Sequence, residues 1–196
     1  HEDFSTVAGE FVTATLYAHT SSNAGELKVK VLDSTQSNFD NVRLNAIDLV
    51  IDADADGTAP GDNQINVALD GTGTNLVVTV DGNESMNVPL SEVPSLTING
   101  GQGNDVLELS FSGSFATVTH DFASHTSGTV TFDNGDTFTM AYVGLEAIED
   151  TVAATDRVMN FATAADDATL SDGLLAGDGI SRLESLYSSP MVDFAN

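Results

Sequence analysis

The chain has 196 residues, no cysteine and no tryptophan, and its 30 acidic residues against 5 basic ones give a formal net charge of −25. A single domain of this length buries roughly 70% of its unfolded surface, so a core is attainable without disulfides, while thiolate metal sites and cysteine nucleophiles are excluded. The charge balance argues against nucleic acid and anionic membranes as partners, since only Lys28, Lys30, Arg43, Arg157 and Arg182 could meet phosphate, and it favours divalent cations, which relieve self-repulsion between carboxylates.

Taken in chain order, short alternating stretches rich in Val, Ile, Thr and Phe recur: FVTATLYA (11–18), LKVKVLD (27–33), VRLNAIDLVID (42–52), QINVALD (64–70), NLVVTVDG (75–82), SLTIN (95–99), VLELSFS (106–112), FATVTHDF (115–122), GTVTFD (128–133) and DTFTMAYV (136–143). Period-two alternation between Gly, Asp, Asn and Ser punctuation is the strand signature, so the expected class is all-β. FATAADDATL (161–170) reads as a turn followed by a strand, although its alanines also suit a helix. In ISRLESLY (180–187), Ile180, Leu183 and Tyr187 share one helical face and make it the candidate helical turn. No run approaches 18 apolar residues, so no membrane-spanning helix is expected. His1 is not a start methionine and no signal peptide is legible, which suggests a processed or excised segment.

Two internal echoes suggest a decayed repeat of roughly fifty to sixty residues. VTVDGNESMNV (78–88) aligns without gaps on VTFDNGDTFTM (130–140), both strand, acidic glycine-containing turn, strand; NDVLEL (104–109) aligns more weakly on ADDATL (165–170). The favoured DG and NG turn dipeptides would produce the first likeness in any two hairpins.

Two stretches carry cation chemistry. Gly100-Gly101-Gln102-Gly103-Asn104-Asp105-Val106-Leu107-Glu108 matches the nonapeptide GGxGxDxUx, with U apolar. Its glycines permit tight turns with inward carbonyls, Asp105 supplies a carboxylate to Ca²⁺, and Leu107 plugs the core of a parallel coil. The competing reading is a glycine-rich turn with a solvated Asp. Asp52, Asp54, Asp56 and Gly57 in IDADADGTAPGDN reproduce the D-x-D-x-D-G opening of a calcium loop, with Asp62 near its end. The twelfth position is Asn63 instead of Glu and the preceding residues read as a strand, which argues against an EF-hand and leaves a strand-flanked calcium loop or a solvated acidic turn. Asp133 and Asp136 of the second hairpin turn, and Asp166 and Asp167, complete the candidate calcium ligands.

Catalytic signatures are missing: there is no HExxH, GxSxG or P-loop. His120 and His125 are five apart, on opposite faces of a strand, and read as solvated. Arg157 near Asp156, Asp166 and Asp167 is the one candidate base for a β-helix polysaccharide lyase. With no Trp and three Tyr, stacking platforms for sugars are scarce, and the ten Phe fall mostly at core-like positions.

SLTINGGQGNDVLELSFSGSF, then GTVTFDNGDTFTMAYVGLEAIED, then ATDRVMNFATAADDATLSDG and GISRLESL, resemble in that order the repeat units of very large secreted bacterial proteins, best known from planctomycetes. The resemblance covers about residues 76 to 196 and leaves 1 to 75 as an unplaced β-rich N-terminal region, the whole forming one continuous folded unit. It implies a non-enzymatic extracellular or cell-surface module, a parallel β-solenoid with hairpins related in style to RTX calcium repeats, associating head to tail with identical units or tandem repeats and with surface polysaccharide. On it, Gly100, Gly101, Gly103 and Asp105 inherit the RTX calcium role, although an RTX roll needs consecutive nonapeptides and this chain has one. The ending MVDFAN falls where such units continue into another strand. The alternatives are an antiparallel β-sandwich adhesin of immunoglobulin or cadherin type, one binding carbohydrate through calcium, and a carbohydrate-active β-helix enzyme.

Overall fold

The computed structural model describes residues 48–54, 61–93, 95–162 and 167–195; the expected strands at 11–18 and 27–33, Asp56, Gly57 and Asp166 lie outside them. The described residues form an all-β body without an α-helix: β1 (Asp48–Asp52), β2 (Gln64–Leu69), β3 (Asn75–Val80), β4 (Asn83–Pro89), β5 (Ser95–Asn99), β6 (Val106–Ser110), β7 (Ser114–Ser124), β8 (Ser127–Asp133), β9 (Thr137–Val143), β10 (Ala147–Asp150), β11 (Ala153–Phe161), β12 (Ala168–Asp172), β13 (Ile180–Ser185) and β14 (Met191–Ala195), with one 3₁₀ turn at Leu90–Glu92. Among these residues no helix is long and apolar enough to cross a membrane.

The strands make two mixed, open sheets. The first has the order β1-β5-β9-β8-β7-β11 and the second β12-β13-β14-β10-β6-β2-β3-β4. Within the first, β1, β5 and β9 run parallel, Val50 beside Thr97 and Thr97 beside Ala141. Within the second, β2, β6, β10 and β14 run parallel, with Ile65, Leu107, Ile148 and Val192 in one row. Paired residues along these runs are 41 to 47 positions apart in sequence. β7 and β11 also run parallel, Thr119 beside Val158, and the remaining neighbours are antiparallel: β2–β3, β3–β4, β7–β8, β8–β9, β12–β13 and β13–β14.

Alternation explains the core. Leu96 and Ile98 of β5, Leu107 and Leu109 of β6, Val130 and Phe132 of β8 and Met140 and Tyr142 of β9 are buried while their sequence neighbours face outward. The inward residues of both sheets form a single apolar cluster, and Phe111 packs on Phe115 and Phe132 with ring centroids 5.9 and 4.6 Å apart. The hairpin turn Asp81-Gly82 takes positive φ at both residues, 50° and 76°, the conformation that joins tightly coupled antiparallel strands. At the next hairpin, Asp70 accepts bonds from the backbone N–H of Thr72, Thr74 and Asn75 and from the Thr72 hydroxyl, and these donors hold its carboxyl below the ordinary value.

Several expectations change. ISRLESLY forms strand β13 instead of a helical turn: Leu183 is buried opposite Val192, whereas Tyr187 is exposed. The aligned hairpins are not equivalent, since β3–β4 lies at the edge of the second sheet and β8–β9 inside the first. NDVLEL and ADDATL differ likewise: β6 is central and parallel to two neighbours, whereas β12 is an edge strand with all five residues exposed. A boundary after residue 75 falls within the β2–β3 hairpin, and β1 and β2 pair with β5 and β6 across it.

Leu107 lies fully buried between Ile65 and Ile148 at the centre of the second sheet. Leu107→Ala is therefore expected to lower stability by about 2–5 kcal/mol, read as a reduced urea midpoint at unchanged m-value.

Candidate functional site

Besides the passage from β11 to β12, the chain crosses from the first sheet to the second at three places flanked by parallel strands: from β1 to β2, from β5 to β6 through Gly100–Asp105, and from β9 to β10 through Gly144–Glu146. Because the strands on both sides are parallel and in register, these crossings lie on one another. Ala53 N–H donates to the Asn99 carbonyl at 2.9 Å, Gly100 N–H to Val143 at 2.9 Å, Val106 N–H to Asn63 at 2.9 Å, Ala147 N–H to Asp105 at 3.3 Å and Met191 N–H to Glu146 at 3.1 Å.

Stacking at backbone distance requires missing side chains. A methyl group on Gly100 would collide with the Gly144 carbonyl oxygen, one on Gly101 with the Asp54 carboxylate and one on Gly103 with the Gly61 carbonyl. Gly101 and Gly103 also have φ of 93° and 141°, a region that side chains resist. The three glycines of the nonapeptide are thus fixed by the crossings packed against them.

The carboxylates cap the amides of the neighbouring crossing. Asp54 Oδ2 accepts from Gln102 N–H at 2.9 Å, Asp62 Oδ1 from Asn104 N–H at 2.9 Å, Asp105 Oδ1 from Asn63 N–H at 2.8 Å and Glu146 Oε2 from Asp105 N–H at 2.7 Å. The last two bonds form a translational ladder, since Asn63, Asp105 and Glu146 each directly precede a parallel strand and each acidic side chain caps the residue one crossing earlier. The ladder is finite. Pro190 takes the corresponding place before β14, where it offers neither a carboxylate nor an N–H, and at the other end the Asp81 carboxylate accepts from Asn63 Nδ2 at 3.0 Å and Gln64 N–H at 2.9 Å.

Asp105 is fully buried, and its Oδ2 has no partner; Asn63 Oδ1 is buried and unpartnered too. Burial raises the Asp105 pKa, the bond from Asn63 opposes that shift, and the charges of Glu146, Asp54 and Asp62 add to it. The side-chain space missing at Gly100 is bordered by the Gly144 carbonyl oxygen and, at 2.9 Å, Asp105 Oδ2. Carbonyl and carboxylate oxygens are the donor set of Ca²⁺, so these residues fit the ion in kind, although among the described residues no three His, Asp or Glu are placed to hold a metal by themselves. Beside the ladder a groove is lined by Asp62, Asn63, Asp81, Asn104 and Glu149.

Asp54, Asp62, Gly100, Gly103 and Asp105 thus come together, and Asp52 lies beside them with Oδ1 3.3 Å from Asp54 N. Asp133 and Asp136 do not join them: they are exposed in the β8–β9 turn, at the opposite end of β9 from Gly144, where Asp133 caps Gly135 N–H at 2.9 Å. Asp167 is exposed beside β12. Sequence reasoning missed Glu146 and Asp81. The spacing that would have found Glu146 is glycine, any residue, then Asn, Asp or Glu directly before a strand, as in Gly61-Asp62-Asn63, Gly103-Asn104-Asp105 and Gly144-Leu145-Glu146.

A second polar cluster is buried inside. His120, expected to be solvated, is fully buried and shares the Asp150 carboxylate with Arg157; His120 Nε2 lies 2.9 Å from Asp150 Oδ2, and Val152 N–H donates to Asp150 Oδ1 at 3.0 Å. Arg157 also donates to the Val152 carbonyl at 2.7 Å and stands 5.4 Å from the Phe194 ring centroid. Burial pulls its pKa down, and Asp150 opposes that shift. Arg157 is therefore engaged with Asp150 and does not gather Asp156 and Asp167 into a base-and-acid site.

No protein-family model, no curated protein and no solved structure matches the chain.

Arg157→Ala would leave Asp150 as a buried charge short of its cation, with an expected cost of about 3–5 kcal/mol in chemical denaturation. Asp105→Asn behaves oppositely in metal-free buffer. Because the folded-state pKa of Asp105 is raised, its ionisation costs stability at neutral pH, and that cost fades as pH falls through the raised pKa towards the unfolded value. The variant is expected to be more stable than the parent at pH 7, by on the order of 1 kcal/mol, with the difference shrinking on acidification.

Proposed function

We propose that the chain is a non-enzymatic structural module of a bacterial extracellular or cell-surface protein, built as a short parallel β-solenoid with hairpin insertions and stiffened by calcium at its stacked crossings. The observation that carries the reading is the buried, unpartnered Asp105 Oδ2 among stacked carbonyls and carboxylates. A carboxylate in that setting is left short of positive charge, and a hard, oxygen-seeking cation supplies it. The solenoid assignment is supported by the two parallel runs, β1-β5-β9 and β2-β6-β10-β14, with their 41- to 47-residue period. That period lies in the range of stacked architectures, in which each unit buries its apolar face on the next. A sandwich adhesin would be dominated by antiparallel pairing between consecutive strands, whereas half of the pairings among the described strands are parallel and join strands distant in sequence.

Held by Asp105 Oδ2 and the Gly144 carbonyl, with Asp54, Asp62 and Glu146 close by, the ion would neutralise the acids of adjacent crossings and link them. An affinity in the extracellular range of about 10⁻⁴ to 10⁻³ M suits so few protein ligands. Calcium at ten times the dissociation constant would then add about 1.4 kcal/mol per site. The test is thermal unfolding in EGTA and in millimolar Ca²⁺. The parent is expected to melt several degrees higher with calcium, Mg²⁺ is expected to substitute poorly, and Asp105→Asn is expected to abolish the calcium increment while staying folded. An identical midpoint in both buffers would remove calcium from the reading.

A further inference from the structure

The open edges of the two sheets differ in how they are protected. Among the described strands, β1 carries Asp48 and Asp52 at its ends, β11 carries Asp156, and β4 carries Glu84, ends on Pro89 and pairs with β3 through a register shift. Charge, proline and irregular register all blunt an edge against further pairing. β12 lacks them: it has no proline and no basic residue, and its one charge, Asp172, is turned back to accept from Gly177 N–H at 3.1 Å. Five of the eight large apolar residues exposed among the described residues, Leu170, Leu174, Leu175, Leu186 and Tyr187, lie along or just beyond its hairpin with β13, each between 63% and 81% exposed, so this edge is where uncovered apolar surface gathers. Leu170 stands opposite Leu183, which stands opposite Val192, and it carries the core row of the second sheet out to the edge. The backbone has a free row there too. Gly173 N–H donates to the Ile180 carbonyl at 2.8 Å and Leu186 N–H to the Asp167 carbonyl at 3.3 Å. Backbone bonds in an antiparallel pair fall on every second residue, so Thr169 and Ser171 face β13 with their N–H and C=O groups, while Ala168, Leu170 and Asp172 turn theirs to the open side.

We propose that β12 pairs antiparallel with β12 of a second copy of the chain, across a two-fold axis at Leu170. Self-complementarity selects this occupant. The three residues turned to the open side are evenly spaced about Leu170, so in this register Ala168 meets Asp172 of the second copy, Leu170 meets Leu170, and every outward N–H and C=O of both strands finds a partner. No carboxylate on the strands meets another, because Asp172 falls opposite Ala168 and Thr169 opposite Ser171. The two Leu170 side chains lie side by side and continue the core row from one copy into the other. The same rotation lays the hairpin tip, with Leu174 and Leu175, towards the far end of the second copy's hairpin, where Leu186 adjoins Asp167 and Tyr187 follows. One operation thus brings all five exposed apolar side chains to the contact. Net charge works against it, since each copy carries −25, and screening by salt therefore strengthens the pair. A two-fold contact closes on itself, so assembly stops at two copies. The inference gives the structural module a partner and does not depend on calcium.

The experiment is sedimentation equilibrium of the full chain in EGTA, with protein up to about 1 mM and salt up to about 1 M, where screening falls to roughly 3 Å. The expected result is a shift from the 20.4 kDa monomer to twice that mass and no further, favoured by salt. Leu170→Pro removes an N–H that makes no bond within the hairpin, a position where an edge strand tolerates proline, and is expected to return the protein to monomer with its far-ultraviolet circular dichroism preserved. If that variant fails to fold, Leu170→Cys decides: in a chain otherwise without cysteine, the two-fold sets the two thiols at the separation of directly paired residues, within reach of a disulfide. Mild oxidation is expected to join Leu170→Cys into a covalent dimer well ahead of Val50→Cys, an exposed control on β1. The proposal is overturned by a chain that stays monomeric throughout, or by a mass that grows past two copies, as when β12 pairs with β4 of the next molecule. It is equally overturned by a dimer that survives in folded Leu170→Pro, or by Leu170→Cys cross-linking no faster than Val50→Cys.

Discussion

Three crossings between the sheets must pass over one another at the separation of hydrogen-bonded backbones, and most of the local sequence follows from that constraint. Parallel strands about 4.8 Å apart leave no room for side chains between the segments that connect them. Glycine at 100, 101 and 103 meets the steric half of the requirement. The chemical half is that N–H groups in a non-strand segment still need acceptors, and Asp54, Asp62, Asp105 and Glu146 provide them from the adjacent crossing. A carboxylate accepting an amide proton makes a stronger bond than a neutral acceptor would. The same residues therefore set the register of β2, β6 and β10 and concentrate negative charge at one edge of the body.

That concentration is hard to offset from within the chain. The two described basic side chains, Arg157 and Arg182, are committed to Asp150 and Asp193. Arg157 works in the interior, where together with His120 it makes a buried carboxylate tolerable, and its bond to the Val152 carbonyl anchors the start of β11. Among the described residues nothing comparable stands beside Asp105, whose remaining oxygen is buried without a donor. The Asp150 carboxylate has its charge answered by protein and the Asp105 carboxylate does not, and this difference is why the calcium proposal rests on the crossings and not on the His120 cluster.

Strands were legible where one face is buried and the other wet. QINVAL, SLTIN, VLELS and TFTMAYV alternate because each lies in a sheet with a single core side, and they sit within a residue or two of where alternation placed them, while of the stretch expected at 42–52 the described part, from residue 48, is strand β1. Legibility failed where that condition fails. Leu145, Ala147 and Ile148 are buried almost consecutively as the chain leaves a crossing, β12 buries nothing, and in β13 the spacing of Ile180, Leu183 and Tyr187 imitates a helical face although only Leu183 is fully inside. The glycine nonapeptide was located correctly as a strand-turn-strand step, with Leu107 in the core. Its partners were harder to see, because they come from positions about forty residues away, and the repeat compared hairpins instead of the Gly-x-Asx/Glu steps before β2, β6 and β10.

The hairpins settle why the pattern stops. A parallel run exposes the same unpaired backbone at each end that it satisfies internally, so it propagates unless something of different geometry covers it. At β2 the cover is β3–β4, whose turn supplies Asp81 to Asn63 and Gln64 in the position that a further crossing would occupy. Beyond β14 it is β13 and β12, approached through Pro190, which cannot extend the ladder of acidic caps. Capping of this kind turns an open-ended stack into a body of fixed length in the second sheet.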